Sequence, residues 1–526
     1  MATNYAERVH SAVRRSSALV AALALLAGCD LAAPREVTGE QIRISAVPGV
    51  AVDRPQLPPT NPTVAGLVAG LPGDDLTGYL AQNVSWSNCG DKTQCADVLA
   101  PLDYAEPSER AVTLSLERKP ASKSPRLGTL FVNPGGPGAS GKGLVGRFDN
   151  SGLEQYDIVG WDPRGTGDST PVACYGSAET DAFNDLDTSP DTDVERTTLI
   201  QAAHDFGTSC WERSGVLLEH ISTVETVRDL DLLRQLLGDD ELHYLGYSYG
   251  TQIGATYAEL FGQHTGRLVL DAAVDITDND DVIQAMGFDL ALGNYAAWCA
   301  GQACKLGGSK QAVLDTVTGL LDSLDGAPLP VGQRRLTQSL AVTGIAAMLY
   351  GGKEAWPTLT QMLTLATQRN GKGLLLAADS LNSRDDKGTY DTMFYAFPAI
   401  SCLDSDEDKG VLDADRTWVE DQRKAPIFGR YFGPQYACAL WPVRPAPQLD
   451  LRGAEAKPLL VIGGTGDNAT PYQQAVDMAR QLESGVLVTY DGEGHGSYGG
   501  KSACVDRIVV DYLVRGTVPR DGVRCD

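Results

Sequence analysis

Ser248 is the first residue of this sequence whose setting suggests chemistry. It lies in the stretch LHYLGYSYGTQIGATYAELF, which begins at Leu242, and occupies the centre of a Gly-x-Ser-x-Gly pentapeptide. That pattern is typical of a sharp strand-to-helix turn that exposes the hydroxyl of a nucleophilic serine. Because the chain contains 57 glycines in 526 residues, the pattern also arises by chance, and only its surroundings can decide.

A serine hydroxyl becomes a useful nucleophile only when a base takes its proton and an acid orients that base. Of the six histidines, only His495 follows both Ser248 and a late apolar segment. Asp467, in VIGGTGDNATP, follows another apolar segment and is the predicted acid. Asp491 and Glu493, which directly neighbour the histidine, are the alternative acids. The order serine, acid, histidine therefore predicts a catalytic triad of Ser248, Asp467 and His495.

Acyl transfer also needs two backbone N–H groups that bind the oxyanion of a tetrahedral intermediate. The predicted donors are Tyr249, which follows the nucleophile, and Gly136, with Gly135 as the neighbouring choice. Both glycines lie in the loop NPGGPGASG (133–141), which follows an apolar segment. Glycines allow the backbone of such a loop to approach the reacting atoms closely.

These residues need a scaffold that carries them on neighbouring strand ends. Six apolar segments with little polar alternation are the candidate strands, as expected for parallel strands buried on both faces. They are GTLFVN (128–133), YDIVGW (156–161), LHYLG (242–246), RLVLD (267–271), PLLVIG (458–463) and GVLVTY (485–490). Helical patterns lie between several of them, so the sequence predicts an α/β fold with a mostly parallel, doubly wound sheet. After the second segment, Asp162 and Arg164 are expected to form a structural ion pair.

The strand pattern stops between residues 276 and 445, where the periodicity is mostly helical, and it resumes at Pro458. We therefore expect a large helical cap over the carboxyl ends of the strands, where ligands bind in open α/β sheets. Residues 84–275 and 446–526 would then form the two parts of the core domain.

The amino-terminal segment has the features of a targeting signal. Three arginines precede ALVAALALLA (18–27), an apolar run that is too short to span a bilayer. The run leads into Leu-Ala-Gly-Cys29, which resembles the lipobox of bacterial lipoproteins. Residues 1–28 are therefore the predicted signal peptide, Cys29 the predicted lipidation site and residues 29–83 the predicted tether. We expect an exported protein that is lipid-anchored to the bacterial cell envelope, or secreted if the cysteine is a chance residue.

Charge and cysteine content limit the classes of partner. The formal net charge of −25 argues against a nucleic-acid partner, whose phosphates need lysine and arginine. Eleven cysteines leave ten once Cys29 is set aside, an even number that suits five disulfides in an oxidising compartment. The simplest pairing joins neighbours along the chain: 89–95, 174–210, 299–304, 402–438 and 504–525. Their spacing does not fit a zinc site, and no metal or organic cofactor is implied.

Several motifs together resemble the exported α/β-hydrolase peptidases of the tripeptidyl aminopeptidase type, which are related to proline iminopeptidases. The motifs are NPGGPGASG, DIVGWDPRGTGDS, GYSYGT, AISCLD, CALWP, GGTGDNATP and GEGHGSY. The resemblance implies the α/β-hydrolase fold and the removal of short peptides or single residues from free N-termini. It carries over the triad Ser248, Asp467 and His495 and the oxyanion loop at Gly135 and Gly136.

The substrate is less closely defined by this resemblance. Cap carboxylates hold the substrate's α-ammonium in such enzymes, and Asp404 in AISCLD is the predicted ligand here. Proline iminopeptidases carry His-Gly-Gly-Pro-Gly where this chain has Asn133 followed by Pro-Gly-Gly-Pro-Gly, so a strict preference for proline does not carry over. The alternatives are an esterase or lipase on the same scaffold, and a surface lipoprotein that binds ligands without turnover.

Overall fold

The computed structural model of the chain describes residues 54–57, 61–277, 281–405 and 410–526. The predicted signal peptide, the predicted lipidation site Cys29 and the predicted tether as far as residue 53 lie outside the described residues. Among the residues that are described, no helix combines the length and the apolar character needed to cross a bilayer.

All six predicted strands are present, and further strands flank them. The strands are β1 (Val68–Ala69), β2 (Ser87–Gly90), β3 (Thr93–Pro101), β4 (Arg110–Lys119), β5 (Gly128–Asn133), β6 (Tyr156–Trp161), β7 (Leu242–Tyr247), β8 (Thr265–Asp271), β9 (Leu329–Val331), β10 (Arg334–Leu336), β11 (Leu459–Gly466), β12 (Gly485–Glu493) and β13 (Val523–Cys525). The six predicted ones correspond to β5, β6, β7, β8, β11 and β12, which the apolar runs place in the core of the sheet.

The central sheet is mixed, and its parallel part contains the strands that precede the predicted catalytic residues. Its strands lie in the order β13-β12-β11-β8-β7-β5-β6-β4-β3-β2, and β1 pairs with β4. Along this order, the neighbouring strands from β13 to β6 pair in parallel, whereas the pairs that involve β1 to β4 are antiparallel. Strands β9 and β10 form a separate antiparallel pair. Because parallel strands share one carboxyl edge, the loops after β5, β7, β11 and β12 meet there. The predicted fold class is confirmed.

Helices alternate with the parallel strands and fill the long segment between β8 and β11. They are α1 (Thr77–Leu80), α2 (Lys142–Val145), α3 (Ser177–Asn184), α4 (Asp193–Ser214), α5 (Thr223–Leu236), α6 (Tyr249–Leu260), α7 (Gln284–Gly301), α8 (Lys310–Gly326), α9 (Gln338–Leu349), α10 (Trp356–Thr367), α11 (Lys372–Leu381), α12 (Met393–Leu403), α13 (Val411–Lys424), α14 (Phe428–Tyr431), α15 (Tyr436–Ala439), α16 (Tyr472–Gln481) and α17 (Ala503–Arg515).

Helices α7 to α15 occupy the segment that the sequence assigns to the cap. Most of them share an apolar cluster of their own, which includes Phe288, Leu340 and Trp356. Helix α12 differs, because its residues Ala396 and Ile400 pack into the core of the sheet instead. Apolar packing of α12 therefore connects the helical segment to the sheet, beside the loops at the carboxyl edge of the strands.

Part of the segment predicted as a tether packs onto the folded body. Val64 is buried, Tyr79 is fully buried, and Val68–Ala69 pairs with β4. The Tyr79 hydroxyl donates a hydrogen bond to the carbonyl oxygen of Pro107. The structure thus places residues 61–83 on the sheet, because they bury apolar side chains there.

Five disulfides have the neighbour pairing expected from the sequence: Cys89–Cys95, Cys174–Cys210, Cys299–Cys304, Cys402–Cys438 and Cys504–Cys525. They are consistent with export to an oxidising compartment. Cys299 of α7 pairs with Cys304, just after that helix, and Cys402–Cys438 joins α12 to α15.

Candidate active site

Ser248 occupies a nucleophile elbow between β7 and α6. Its backbone has φ 56° and ψ −129°, a positive φ that is rare for a residue with a side chain. The turn is braced by two hydrogen bonds: Ser248 N–H donates to the Asp271 carbonyl, and Thr251 N–H donates to the Ser248 carbonyl. Such strain at a single residue projects the hydroxyl above the edge of the sheet, as the pentapeptide predicts.

The first glycine of the pentapeptide is required by packing. A Cβ atom at Gly246 would lie 2.4 Å from the carbonyl oxygen of Gly250, so no larger residue fits without moving the elbow. The Gly250 carbonyl in turn accepts a hydrogen bond of 2.7 Å from the Tyr244 hydroxyl. The Gly-x-Ser-x-Gly pattern is therefore a consequence of how tightly α6 turns back on β7.

Asp467 and His495 lie next to each other in the loops after β11 and β12. His495 Nδ1 is 2.8 Å and 3.0 Å from the two carboxylate oxygens of Asp467. Because a carboxylate only accepts hydrogen bonds, Nδ1 carries the proton and Nε2 is left as the basic atom. The Asp467 side chain is 1% exposed and that of His495 11% exposed, so the pair is almost sealed from solvent.

The surroundings of Asp467 keep it ionised. Burial opposes its charge, but the charge and hydrogen bond of His495 and the N–H groups of Thr470 and Ala469 outweigh burial, so the pKa of Asp467 lies below its usual value. Within the described residues, no hydrogen bond joins Ser248 Oγ to the imidazole of His495. Hydrogen bonds of this kind are often long before substrate binds.

Asp271 accepts hydrogen bonds both from the nucleophile elbow and from the loop that carries His495. The sequence analysis did not identify it. Its carboxylate is fully buried and accepts hydrogen bonds from the N–H groups of Ser497 and Tyr498, in the loop that carries His495. Its carbonyl accepts the N–H of Ser248. The signal that could have identified it is the aspartate at the carboxyl end of the apolar strand RLVLD, because a carboxylate that is buried there needs hydrogen-bond donors from neighbouring loops.

The glycine-rich loop after β5 lies directly against the elbow. A Cβ atom at Gly135, where φ is 87°, would lie 2.3 Å from the Tyr247 carbonyl oxygen and 3.0 Å from Tyr249 N. The Gly135 N–H already donates to Asn133 Oδ1 at 2.8 Å. Gly136 and Tyr249 remain the predicted oxyanion donors, and Tyr249 N stands at the first turn of α6, where helix N–H groups lack intrahelical acceptors.

The alternative acids have other partners. Asp491 accepts hydrogen bonds from the exposed guanidinium of Arg524, and Glu493 accepts one of 3.1 Å from Asn294 of α7. Asp467 is therefore the carboxylate that contacts the imidazole.

The prediction of an ion pair between Asp162 and Arg164 is wrong. Arg164 instead forms a fully buried pair with Asp229 of α5, while Asp162 accepts hydrogen bonds from Ser140 and from backbone N–H groups. A buried guanidinium needs a carboxylate with matching geometry, and that partner comes from a distant helix that local sequence does not reveal.

Asp404, the predicted ammonium ligand, lies at the end of α12 and contacts the start of α5. Its carboxylate accepts hydrogen bonds from Thr223 N (2.9 Å) and Thr223 Oγ1 (2.6 Å). The same Thr223 hydroxyl is 2.5 Å from the Tyr249 hydroxyl. Burial raises the pKa of Asp404 to about 6, against the lowering effect of the Thr223 hydrogen bonds. Asp404 is thus linked through one threonine to the residue that follows the nucleophile.

The sheet, the elbow and the Asp467–His495 pair define an α/β hydrolase with a serine at its elbow. The family described as TAP-like protein matches residues 425–525, which contain both Asp467 and His495. Serine protease Hip1 of Mycobacterium tuberculosis is 36% identical over 486 residues, which cover 85% of this chain and 91% of that protein. The chain belongs to this family of α/β-fold hydrolases, and the resemblance seen in the sequence motifs is confirmed.

Other relatives have names that point to different substrates. A protein of Mycobacterium tuberculosis named carboxylesterase B is 35% identical over 543 aligned positions, which cover 97% of this chain and 98% of that protein. A tripeptidyl aminopeptidase of Streptomyces lividans is 29% identical over 480 positions, which cover 84% of this chain and 86% of that protein.

Proposed function

We propose that this protein is an exported serine peptidase that removes short peptides or single residues from the free N-termini of peptides. The observation that carries the proposal is the 2.8 Å contact between Asp467 Oδ1 and His495 Nδ1, at the strand edge where the elbow presents Ser248. An acid, a base and a serine in this arrangement support acyl transfer.

The proposed reaction has two halves. His495 Nε2 takes the proton of Ser248 Oγ while the oxygen bonds to the scissile carbonyl carbon, and the N–H groups of Tyr249 and Gly136 bind the oxyanion. His495 then gives its proton to the leaving amine as the C–N bond breaks. Water then attacks the acyl carbon while His495 takes its proton. His495 returns that proton to Ser248 Oγ as the acyl–oxygen bond breaks, and the released peptide or amino acid leaves. Asp467 holds the imidazole tautomer and stabilises its cation throughout.

The proposed requirement for a free N-terminus is based on similarity to the named peptidases of this family. The names serine protease Hip1 and tripeptidyl aminopeptidase support a peptide substrate. Asp404 is the proposed ligand of the substrate's α-ammonium, because it is a carboxylate of the helical segment linked to Tyr249 through Thr223. A positive ammonium beside it would favour its ionised form.

An esterase is the second candidate, because carboxylesterase B aligns over nearly the whole chain. The two functions are separated by comparing three substrates: an unblocked peptide anilide, the same anilide with an acetylated N-terminus, and a short acyl ester. The peptidase proposal predicts that acetylation lowers kcat/KM by at least about 10-fold, the loss of one charge-assisted contact. Equal rates on the blocked and free anilides would refute the free-N-terminus requirement, and hydrolysis of the ester alone would favour the esterase. Mass analysis of products from unblocked peptides gives the fragment length.

We propose further that Cys29 carries a lipid that anchors the exported protein to the bacterial cell envelope. The lipobox-like sequence before it supports this, and so does the suitability of the five disulfides to an oxidising compartment. Metabolic labelling with a fatty-acid analogue should mark the wild-type protein but not Cys29→Ala. Unlabelled wild-type protein in the culture medium would instead indicate secretion.

A further inference from the structure

His495 is contacted by the cap as well as by the core of the sheet. The loop that carries it is hydrogen-bonded to Tyr350, the residue that follows α9: His495 N–H donates to the Tyr350 carbonyl at 3.1 Å. The Tyr350 ring also stands perpendicular to the imidazole, with ring centroids 5.3 Å apart and an interplanar angle of 89°. One cap residue therefore holds the backbone and the ring of the predicted base.

Tyr350 is itself rigidly supported. Every residue of α9 except Thr343 is buried, so the helix that ends at Tyr350 cannot shift without disturbing the cap core. The Tyr350 ring also packs against Phe288 of α7, with ring centroids 5.8 Å apart, and Phe288 contacts Phe428 and Phe432. This aromatic cluster fixes the ring that faces the imidazole.

Hydrogen bonding by the Tyr350 hydroxyl does not explain why this residue lies beside His495. Among the residues that the structure describes, no hydrogen bond is made by this hydroxyl. Burial and the nearby negative charge of Asp467 raise the pKa of Tyr350, so the group is neutral. The contact with His495 is thus made by the ring and the backbone carbonyl. The carbonyl contact is independent of side-chain type, and the ring contact is the part that substitution can remove.

We propose that Tyr350 is a positioning residue for His495, so that the cap takes part in the reaction. This inference rests on the proposed role of His495 as the base. Asp467 fixes only the Nδ1 edge of the imidazole, and the perpendicular ring limits its rotation about that hydrogen bond.

Other charged groups face the same loop and remain when Tyr350 is changed. Lys501 Nζ donates to the His495 carbonyl at 2.8 Å, and the carboxylates of Asp467 and Asp271 lie on the side of the core. Burial lowers the pKa of Lys501, and the surrounding carboxylates oppose that effect. These groups are unchanged in all the variants below.

The test compares Tyr350→Leu, which removes the ring but keeps apolar volume, with Tyr350→Phe, which removes only the hydroxyl. We expect Tyr350→Leu to lower kcat by about 10-fold with less than about 3-fold change in KM, because an imidazole that is free to turn about its Nδ1 hydrogen bond is less often aligned with Ser248 Oγ. Tyr350→Phe should retain kcat within about 3-fold, because it keeps the ring.

Trp298→Leu is the matched control, because it removes a cap ring that packs against Tyr295 and Trp356 rather than against Tyr350. It should lower the melting temperature without lowering kcat. A folded Tyr350→Leu enzyme that keeps the wild-type kcat would overturn the proposal, as would a Trp298→Leu enzyme that loses kcat to the same extent.

Two further outcomes are distinguishable. Should Tyr350→Leu fail to fold, Tyr350→Met, whose flexible side chain fills irregular gaps, provides the same comparison. If Ser248→Ala retains the hydrolytic activity, the proposed function fails. If Ser248→Ala is inactive but the Tyr350 variants are as active as the wild type, the proposed serine hydrolase function stands and the positioning role of Tyr350 is refuted.

Discussion

Gly135→Ala tests whether the glycine-rich loop and the nucleophile elbow form one unit. The new Cβ would lie 2.3 Å from the Tyr247 carbonyl oxygen and 3.0 Å from Ser248 Cβ, far inside van der Waals contact. The backbone has φ 87°, which costs a residue with a side chain about 1–2 kcal/mol. Overpacking adds about 1–3 kcal/mol, so we expect the free energy of unfolding to fall by about 2–5 kcal/mol.

The same substitution should also reduce activity, because relief of the clash moves the loop away from the elbow. A displacement of about 1 Å at the predicted oxyanion donor Gly136 corresponds to about 100-fold in kcat. Denaturant unfolding gives the stability and steady-state hydrolysis of an unblocked peptide anilide gives kcat.

Gly146→Ala is the control, since its backbone has φ −66° and no atom lies within 4 Å of the added Cβ. It should leave kcat unchanged and alter stability by less than about 1 kcal/mol. A Gly135→Ala enzyme with full kcat and unchanged stability would refute the placement of this loop at the oxyanion.

Substitutions at three other sites, with Asp491→Asn as a control, have definite expectations. Asp467→Asn should lower kcat by about 10⁴-fold in steady-state assays, because an amide holds the wrong imidazole tautomer, whereas Asp491→Asn should not lower it. Asp271→Ala should lower the free energy of unfolding by about 2–6 kcal/mol, since two buried N–H groups lose their acceptor, and a loss under about 1 kcal/mol in denaturant titrations would contradict this. Burial raises the pKa of Asp404 to about 6, so its favourable contribution is complete below about pH 4 and is lost as pH rises through 6. Relative to Asp404→Asn, wild-type stability should therefore fall by up to about 3 kcal/mol between pH 4 and pH 7, and a pH-independent difference would be inconsistent with this.

The sequence predicted those parts of the molecule that have local signals. Six apolar runs became β5, β6, β7, β8, β11 and β12, because strands buried on both faces show their burial in composition. The contact between Asp467 and His495 followed from their places after two such strands, since the carboxyl ends of parallel strands meet. The disulfide pairing followed from closeness along the chain.

Contacts between distant segments could not be predicted in this way. The hydrogen bonds of Asp271 to residues 497 and 498, and the contact of Tyr350 with His495, cross more than a hundred residues of chain. The pairing of Arg164 with Asp229 rather than Asp162 depends on where α5 packs, which no local pattern encodes. The packing of residues 61–83 rests on a few buried side chains in a proline-rich segment, such as Tyr79.

Labelling with a fluorophosphonate followed by peptide mapping tests the central claim most directly, because this reagent forms a covalent bond with an activated serine. The account predicts one adduct, on the peptide that contains Ser248, with loss of hydrolysis in proportion to labelling. Ser248→Ala should be neither labelled nor active, while Ser151→Ala, at an exposed serine hydrogen-bonded to Asp149, should be labelled as wild type. An adduct on another serine, or a Ser248→Ala protein that keeps its hydrolytic activity, would contradict the assignment of Ser248 as the nucleophile.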